Sequence, residues 1–299
     1  MKGNLMKKTL TAVAIALSSI VAHANTKTVE VVWPFAPGGT QATMIRHLLE
    51  NANAAQKEYQ FLFVNKPGAG GSIAVNSVAS SNNLTVLASA ATFYTRPLLY
   101  KDSHDVDKFT VLTPVCENAP FGLYSKKYKS LNEMRGKTVS VGIIPGSPGH
   151  IFSVALAKAF KDITIVEVPY KDTVAASTDM LGQHVDASID LLSEGTVARM
   201  PQDVTVVAMS GTQKIGNAET AKSLSDMNAG YWLFIPKSVD KNVQRDLNRI
   251  FTSAIDSKVK GACAAERGTI SLVAFEKLDE LHETNKKNWK NLTAGIKVE

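Results

Sequence analysis

The chain has 299 residues, 44% hydrophobic and 20% charged, and its 33 Lys and Arg against 27 Asp and Glu give a formal net charge of +6. That is enough chain for one large domain or two small lobes. No run of Lys and Arg marks a nucleic-acid surface, and no internal repeat or low-complexity tract divides the sequence.

Lys2, Lys7 and Lys8 form a positive start, Thr9 to Val21 is apolar or small, and Ala22-His23-Ala24 ends the run. This predicts a secretory signal cleaved after Ala24, hence a periplasmic protein. A membrane-spanning helix needs ~20 apolar residues, more than this run supplies, and no cysteine lies near the cleavage site for a lipid anchor. Taking 24 residues from 299 leaves 275, and the three lysines lost with them lower the net charge from +6 to +3. Export would place Cys116 and Cys263 in an oxidising space. One disulfide and two buried thiols are both open, because sequence gives no Cα separation.

Apolar runs then alternate with helical patterns. The predicted strands are Thr28–Trp33, Gln60–Val64, Leu84–Ala88, Thr138–Ile143, Ile163–Val168, Val185–Ile189 and Val204–Ala208, with Tyr231–Ile235 as a further candidate. The predicted helices are Thr40–Asn51, Ser72–Ser81, Pro148–Lys161, Val174–Leu181, Val239–Ser257 and Phe275–Ile296. In the first helix Met44, Ile45, Leu48 and Leu49 share one face. The alternation predicts parallel α/β sheets. It separates into a run over 25–120, a second over 121–226 and a mostly helical return over 227–299. Two lobes with a cleft between them fit this layout, with a ligand beyond the carboxyl ends of the strands.

Two strand-to-helix loops match. Pro34-Phe35-Ala36-Pro37-Gly38-Gly39-Thr40 follows the first strand, with glycines that let a ligand approach and Thr40 as a predicted helix cap. Ile144-Pro145-Gly146-Ser147-Pro148-Gly149-His150 repeats the device, with Ser147 as cap and Pro148 as first helical residue. The free amides and dipole of a helix start attract an anion. Each loop alone is an ordinary turn; two facing loops would hold a carboxylate without Arg or Lys.

A third glycine loop, Asn65 to Ser72, carries Gly68 and Gly70 but has Ile73 where a dinucleotide fingerprint needs a third glycine. Ser147 and His150 suggest a secreted α/β hydrolase as an alternative. However, residue 145 is Pro where a nucleophile elbow needs glycine, and no orienting third group is evident. No His/Cys/Asp cluster has metal-ligand spacing, and no cofactor is expected.

The segments Pro34-Phe-Ala-Pro-Gly-Gly-Thr40, Asn65-Lys-Pro-Gly-Ala-Gly-Gly-Ser72, Val168-Pro-Tyr-Lys171, Asp179-Met-Leu-Gly182 and Val185-Asp186, in this order, resemble the substrate-binding proteins of tripartite tricarboxylate transporters, the Bug receptors. The resemblance implies a type II periplasmic binding fold of two α/β lobes closing on a small carboxylate, with no enzyme activity. The carboxylate would be held by backbone amides and ordered waters, by a monomer that serves a two-subunit membrane permease. Service to a membrane signalling partner is a further alternative. By this likeness Phe35, Gly38, Gly39, Thr40, Ser147 and His150 fall in the cleft, and Asp190 reaches the far end of a ligand. Gln41, Thr92, Pro148, Gly149 and Tyr170 complete the candidate set. Three departures stand out. Ala42 replaces a usual aspartate and leaves Thr43 or Gln41 as neutral substitutes. The second loop is poorer in Asn and Gly, and Lys66 stands where arginine is common.

Overall fold

The computed structural model describes residues 26–35, 37–101, 103–211, 218–220, 224, 227–294 and 296. The expected signal segment lies outside them. Among the described residues no helix is long and apolar enough to cross a membrane.

The first run gives β1 (Lys27–Trp33), α1 (Thr40–Ala55), β2 (Tyr59–Asn65), α2 (Ser72–Ala79), β3 (Thr85–Ala90) and α3 (Thr92–Leu99). A long strand, β4 (Phe109–Ser125), follows. The second run gives β5 (Thr138–Ile143), α4 (Pro148–Ala159), β6 (Thr164–Pro169), α5 (Thr173–Leu181), β7 (Ala187–Leu191), α6 (Glu194–Arg199) and β8 (Thr205–Met209). The return supplies β9 (Asn228–Pro236), α7 (Lys241–Ser253), α8 (Ser257–Ala265) and α9 (Leu278–Leu292).

The strands share one path, β2-β1-β3-β9-β4-β7-β5-β6, with β8 also on β4. β1 pairs β2 and β3 in parallel, and β5 pairs β6 and β7 in parallel. The joints between the two groups are antiparallel: β3 to β9, β9 to β4 and β4 to β7. Residues 109–120 of β4 pair with β9, and residues 121–125 pair with β7 and β8. Two antiparallel steps make β3 run with β4, and one makes β7 run against it. The carboxyl ends of β1 and β3 therefore point toward the second group, and those of β5 and β7 point back. Ala90 stands level with Tyr231, and Tyr231 with Cys116. Leu191 stands level with Phe121. The two sets of strand ends thus face each other across a few residues of β4.

β4 differs from the sequence expectation, which had no strand there. It is buried along nearly its whole length, so it lacks period-two alternation, and it contains Pro114 and Pro120. The strand tolerates Pro114 because its register against β9 slips between Pro114 and Cys116, a place where a ladder bond is already lost, and Pro120 ends its pairing with β9. At this irregular stretch the return segment is fastened. Cys116 and Cys263 form a disulfide. Glu117 and Thr269 exchange backbone hydrogen bonds of 2.8 and 2.7 Å, and Glu117 Oε1 also accepts from Trp232 Nε1 at 2.9 Å.

The unpredicted helix α3 contains Pro97, which has no N–H for the carbonyl four residues back. His104 Nε2 donates to that carbonyl, Phe93 O, at 2.8 Å. Its Nδ1 lies 3.1 Å from Ser72 Oγ, and burial lowers its pKa, so it serves as a neutral ring. The predicted helix over 239–257 ends at Ser253, and a further helix over 257–265, which the sequence reading lacked, begins where it was expected to stop. Asp256 accepts from the amides of Lys258 and Val259 and starts α8 afresh. In α1 the predicted face holds: Met44, Ile45, Leu48 and Leu49 are buried.

Candidate functional site

The first loop arrives from β1 with Pro37, Gly38 and Gly39 exposed. Phe35 packs edge-on against Trp33 at 5.2 Å, which leaves the turn as the part open to solvent. Gly39 is the N-cap of α1, at φ 99° and ψ 163°, a conformation essentially reserved for glycine. Thr40 does not cap the helix, because the cap position falls one residue earlier and no side chain bonds there. Thr43 bonds Gly39 O instead, through its amide at 3.1 Å and its hydroxyl at 3.0 Å. The amides ahead of Thr43 in this first turn have no partner within the helix. Ala42 is fully buried.

The second loop enters from β5. Ser147 is the N-cap of α4, and its Oγ accepts from His150 N at 3.2 Å; Pro148 takes the first helical position. Pro148, Gly149 and His150 are buried. Both ring nitrogens of His150 are occupied. Gly146 N–H donates to Nδ1 at 3.2 Å, so Nε2 carries the proton and donates to Glu167 Oε2 at 3.0 Å. Burial raises the Glu167 carboxyl, but the hydrogen bond and charge of His150 together with the Ser153 hydroxyl outweigh it and hold the group below its ordinary range. His150 thus shapes the loop from within. It makes no hydrolase pair, because Ser147 Oγ meets the His150 backbone and not its ring. Substituting His150→Ala should cost about 1–3 kcal/mol, since it orphans the Gly146 amide and Glu167 together. Thermal unfolding checks this, and an unchanged melting temperature would count against it.

The two loops meet elements of the opposite group. Thr95 Oγ1 donates to Gly146 O at 2.7 Å. A Cβ on Gly195, at the start of α6, would lie 3.9 Å from Thr40 Oγ1. Thr92 is buried at the start of α3. Tyr170 donates to Asp179 Oδ2 at 2.6 Å and packs over Gly142, so its hydroxyl is spoken for.

Deeper in the seam lies a group of acids. Asp190, opposite Gly122 on β4, accepts from Leu191 N at 2.7 Å. Burial pushes its pKa up to about 6, against the pull of that amide, of Arg199 and of Thr173. Glu266, at the end of α8, is fully buried. Its Oε1 accepts from Gln41 Nε2 at 3.1 Å, and its Oε2 has no hydrogen-bond partner. Burial and then the nearby Asp190 charge raise it to about 7, while Gln41, Arg199 and the Thr40 hydroxyl pull the other way. Gln41 also meets the buried Tyr231 side chain. Sequence gave no sign of Glu266; its nearest signal is Cys263, three residues earlier, whose disulfide brings it there. Among the described residues no group of His, Cys, Asp and Glu is arranged to hold a metal ion.

The family model for the tripartite tricarboxylate transporter family receptor, TctC, matches residues 44–265. The chain belongs to this family. It is a family of solute receptors, not enzymes. The fold is similar to that of the periplasmic binding protein BugD, with a TM-score of 0.74 at 21% identity over 89% of this chain and 96% of that one. MatC from Rhodopseudomonas palustris with bound malate gives 0.73 at 21% identity over 90% and 99%. The R. palustris protein Rpa4515 with adipate gives 0.75 at 17% identity over 90% and 96%. No curated protein matches this TctC-family receptor.

Proposed function

We propose that this receptor works in the periplasm, captures a small organic carboxylate between its two lobes and delivers it, as a monomer, to a two-subunit membrane permease. The lobes are read as 25–120 with 227–299, and 121–226, and the leader as residues 1–24. One observation carries the reading: two helix starts, Gly39–Thr40 and Ser147–Pro148, border the seam where opposed strand ends meet. Such starts offer unpaired amides and partial positive charge to an anion. The malate and adipate held by MatC and Rpa4515 are consistent with it. The ligand set proposed is Phe35, Gly38, Gly39, Thr40, Gln41, Thr92, Ser147, Pro148, Gly149 and Asp190, with His150 and Tyr170 supporting them from behind. Closure follows if the shut form binds the anion better.

A thermal-shift screen of mono- and dicarboxylates tests the reading. A hundredfold excess of ligand over Kd should add about 2.7 kcal/mol of stability, and silence from every acid would sink it. Gly38→Glu sharpens the test. A Cβ there meets nothing within 4 Å, so the fold should stand, while the new carboxylate occupies the anion's place. Carboxylate affinity should fall at least tenfold, roughly 1.4 kcal/mol, with the melting temperature of the empty protein unchanged; calorimetry that finds equal affinity contradicts it.

A further inference from the structure

The deep end of the seam is chemically unlike its mouth. Gln41 sits on the first turn of α1, beside the amides that receive the anion, and its side chain leads directly to Glu266 at 3.1 Å. Glu266 is fully buried and no donor makes a hydrogen bond to Oε2, although the Thr40 hydroxyl, on the same first turn as Gln41, is close enough to the carboxyl to pull its pKa down. A buried acceptor left without a donor is costly and usually has a functional reason. Asp190 lies on the opposing element, β7, close enough to perturb Glu266. Among the described residues neither acid has a salt-bridge partner. The Arg199 charge acts on both acids, but Arg199 is exposed and gives Nη2 to Thr196 Oγ1 at 3.3 Å. Arg267, next to Glu266, is only half-buried and bonds neither acid. Tyr231 on β9 and Tyr124 on β4 are both buried and both sense the two acids.

We propose that Glu266 sets the ligand class: the far end of the bound acid carries a hydrogen-bond donor, a hydroxyl or an ammonium group, which Glu266 Oε2 accepts, and a second carboxylate is rejected there. This rests on the carboxylate-receptor reading and narrows it to monocarboxylates with a polar donor tail. A second carboxylate would meet two buried acids and supply no proton. A hydroxyl or ammonium group would fill the acceptor that the protein leaves open. Sites built to hydrogen-bond a substrate group discriminate strongly against analogues lacking it, and like charges in a desolvated site repel.

The test is calorimetry on length-matched acids: succinate, 4-hydroxybutyrate and 4-aminobutyrate, then glutarate, 5-hydroxyvalerate and 5-aminovalerate. At pH 8 a donor-ended acid should bind at least about tenfold tighter than the diacid of its set. Preference for the amino acid marks an ammonium contact, and parity of amino and hydroxy acids marks a hydroxyl-type contact. Glu266→Gln should shrink the ratio of donor-ended acid to diacid about tenfold. Glu266→Asp, which keeps the charge but withdraws the oxygens, should weaken the donor-ended acids while still rejecting the diacid. Melting curves establish that each variant folds. A diacid that binds as well as its donor-ended partners, or a ratio unmoved by Glu266→Gln, overturns the proposal and leaves the receptor reading intact. Failure of every acid overturns both.

Discussion

Replacing Cys116 and Cys263 together by serine should cost about 5 kcal/mol and lower the melting temperature by on the order of 10 °C or more. The bond joins residues 147 apart, and closing so long a loop in advance removes much of the unfolded chain's freedom. It also fastens the return segment to β4 where that strand is irregular. The fit there is close: a Cβ on Gly268 would stand 2.5 Å from Cys116 Sγ and 2.8 Å from Glu117 O. Glu266 lies between Cys263 and Gly268, so loosening the staple should weaken ligand binding as well as the fold. Calorimetric melting with and without reductant, alongside the serine pair, measures the first effect. Equal melting temperatures in all three would show that the bond contributes nothing.

Glu266→Gln should make the empty protein more stable at pH 8, by on the order of 1–3 kcal/mol, and leave it nearly unchanged at pH 5. The sign follows from the direction of the shift. Burial and the Asp190 charge raise the Glu266 carboxyl from 4.5 to about 7 in the folded protein. The neutral acid favours folding, so its contribution is whole below the unfolded value of 4.5 and fades as pH rises through about 7. At pH 8 the wild type holds an unpaired buried carboxylate next to Asp190, a cost the amide does not bear. The amide oxygen can still accept from Gln41, and its new N–H faces an acid. Denaturant melts of both proteins from pH 5 to pH 8 give the comparison, and parallel curves would refute the account. A binding site kept at the expense of stability is the expected trade.

Much of the architecture was legible because parallel strands covered on both faces read as short apolar runs between helical periods. β1, β5 and the buried face of α1 illustrate this. What escaped has physical causes. β4 carries two prolines and no alternation, and its strand character comes from three partners distant in sequence. α3 is helical across Pro97 because His104 caps the freed carbonyl, a bond between residues that no local pattern links. The two loops stood out through their glycines and caps, and Ser147 does cap α4. His150 looked like a ligand group because sequence shows a side chain's chemistry but not its neighbours. Glu266 is one acid ending an alanine-rich helix, and only the disulfide gives it a place.

The position of β9 has a consequence for how the molecule is made. It is hydrogen-bonded between β3 and β4, yet it follows them by more than a hundred residues of chain. A chain emerging N-terminus first presents β3 and β4 with open edges until residue 236 arrives. The first half of the sheet cannot be completed without β9, whereas the second half closes on residues 121–125 of β4 alone, and Cys116 waits longer still, for Cys263. Assembly of the first half is therefore late and slow by topology, with a long exposure of unpaired strand edges. The last quarter of the chain acts as the key that locks the first half of the sheet.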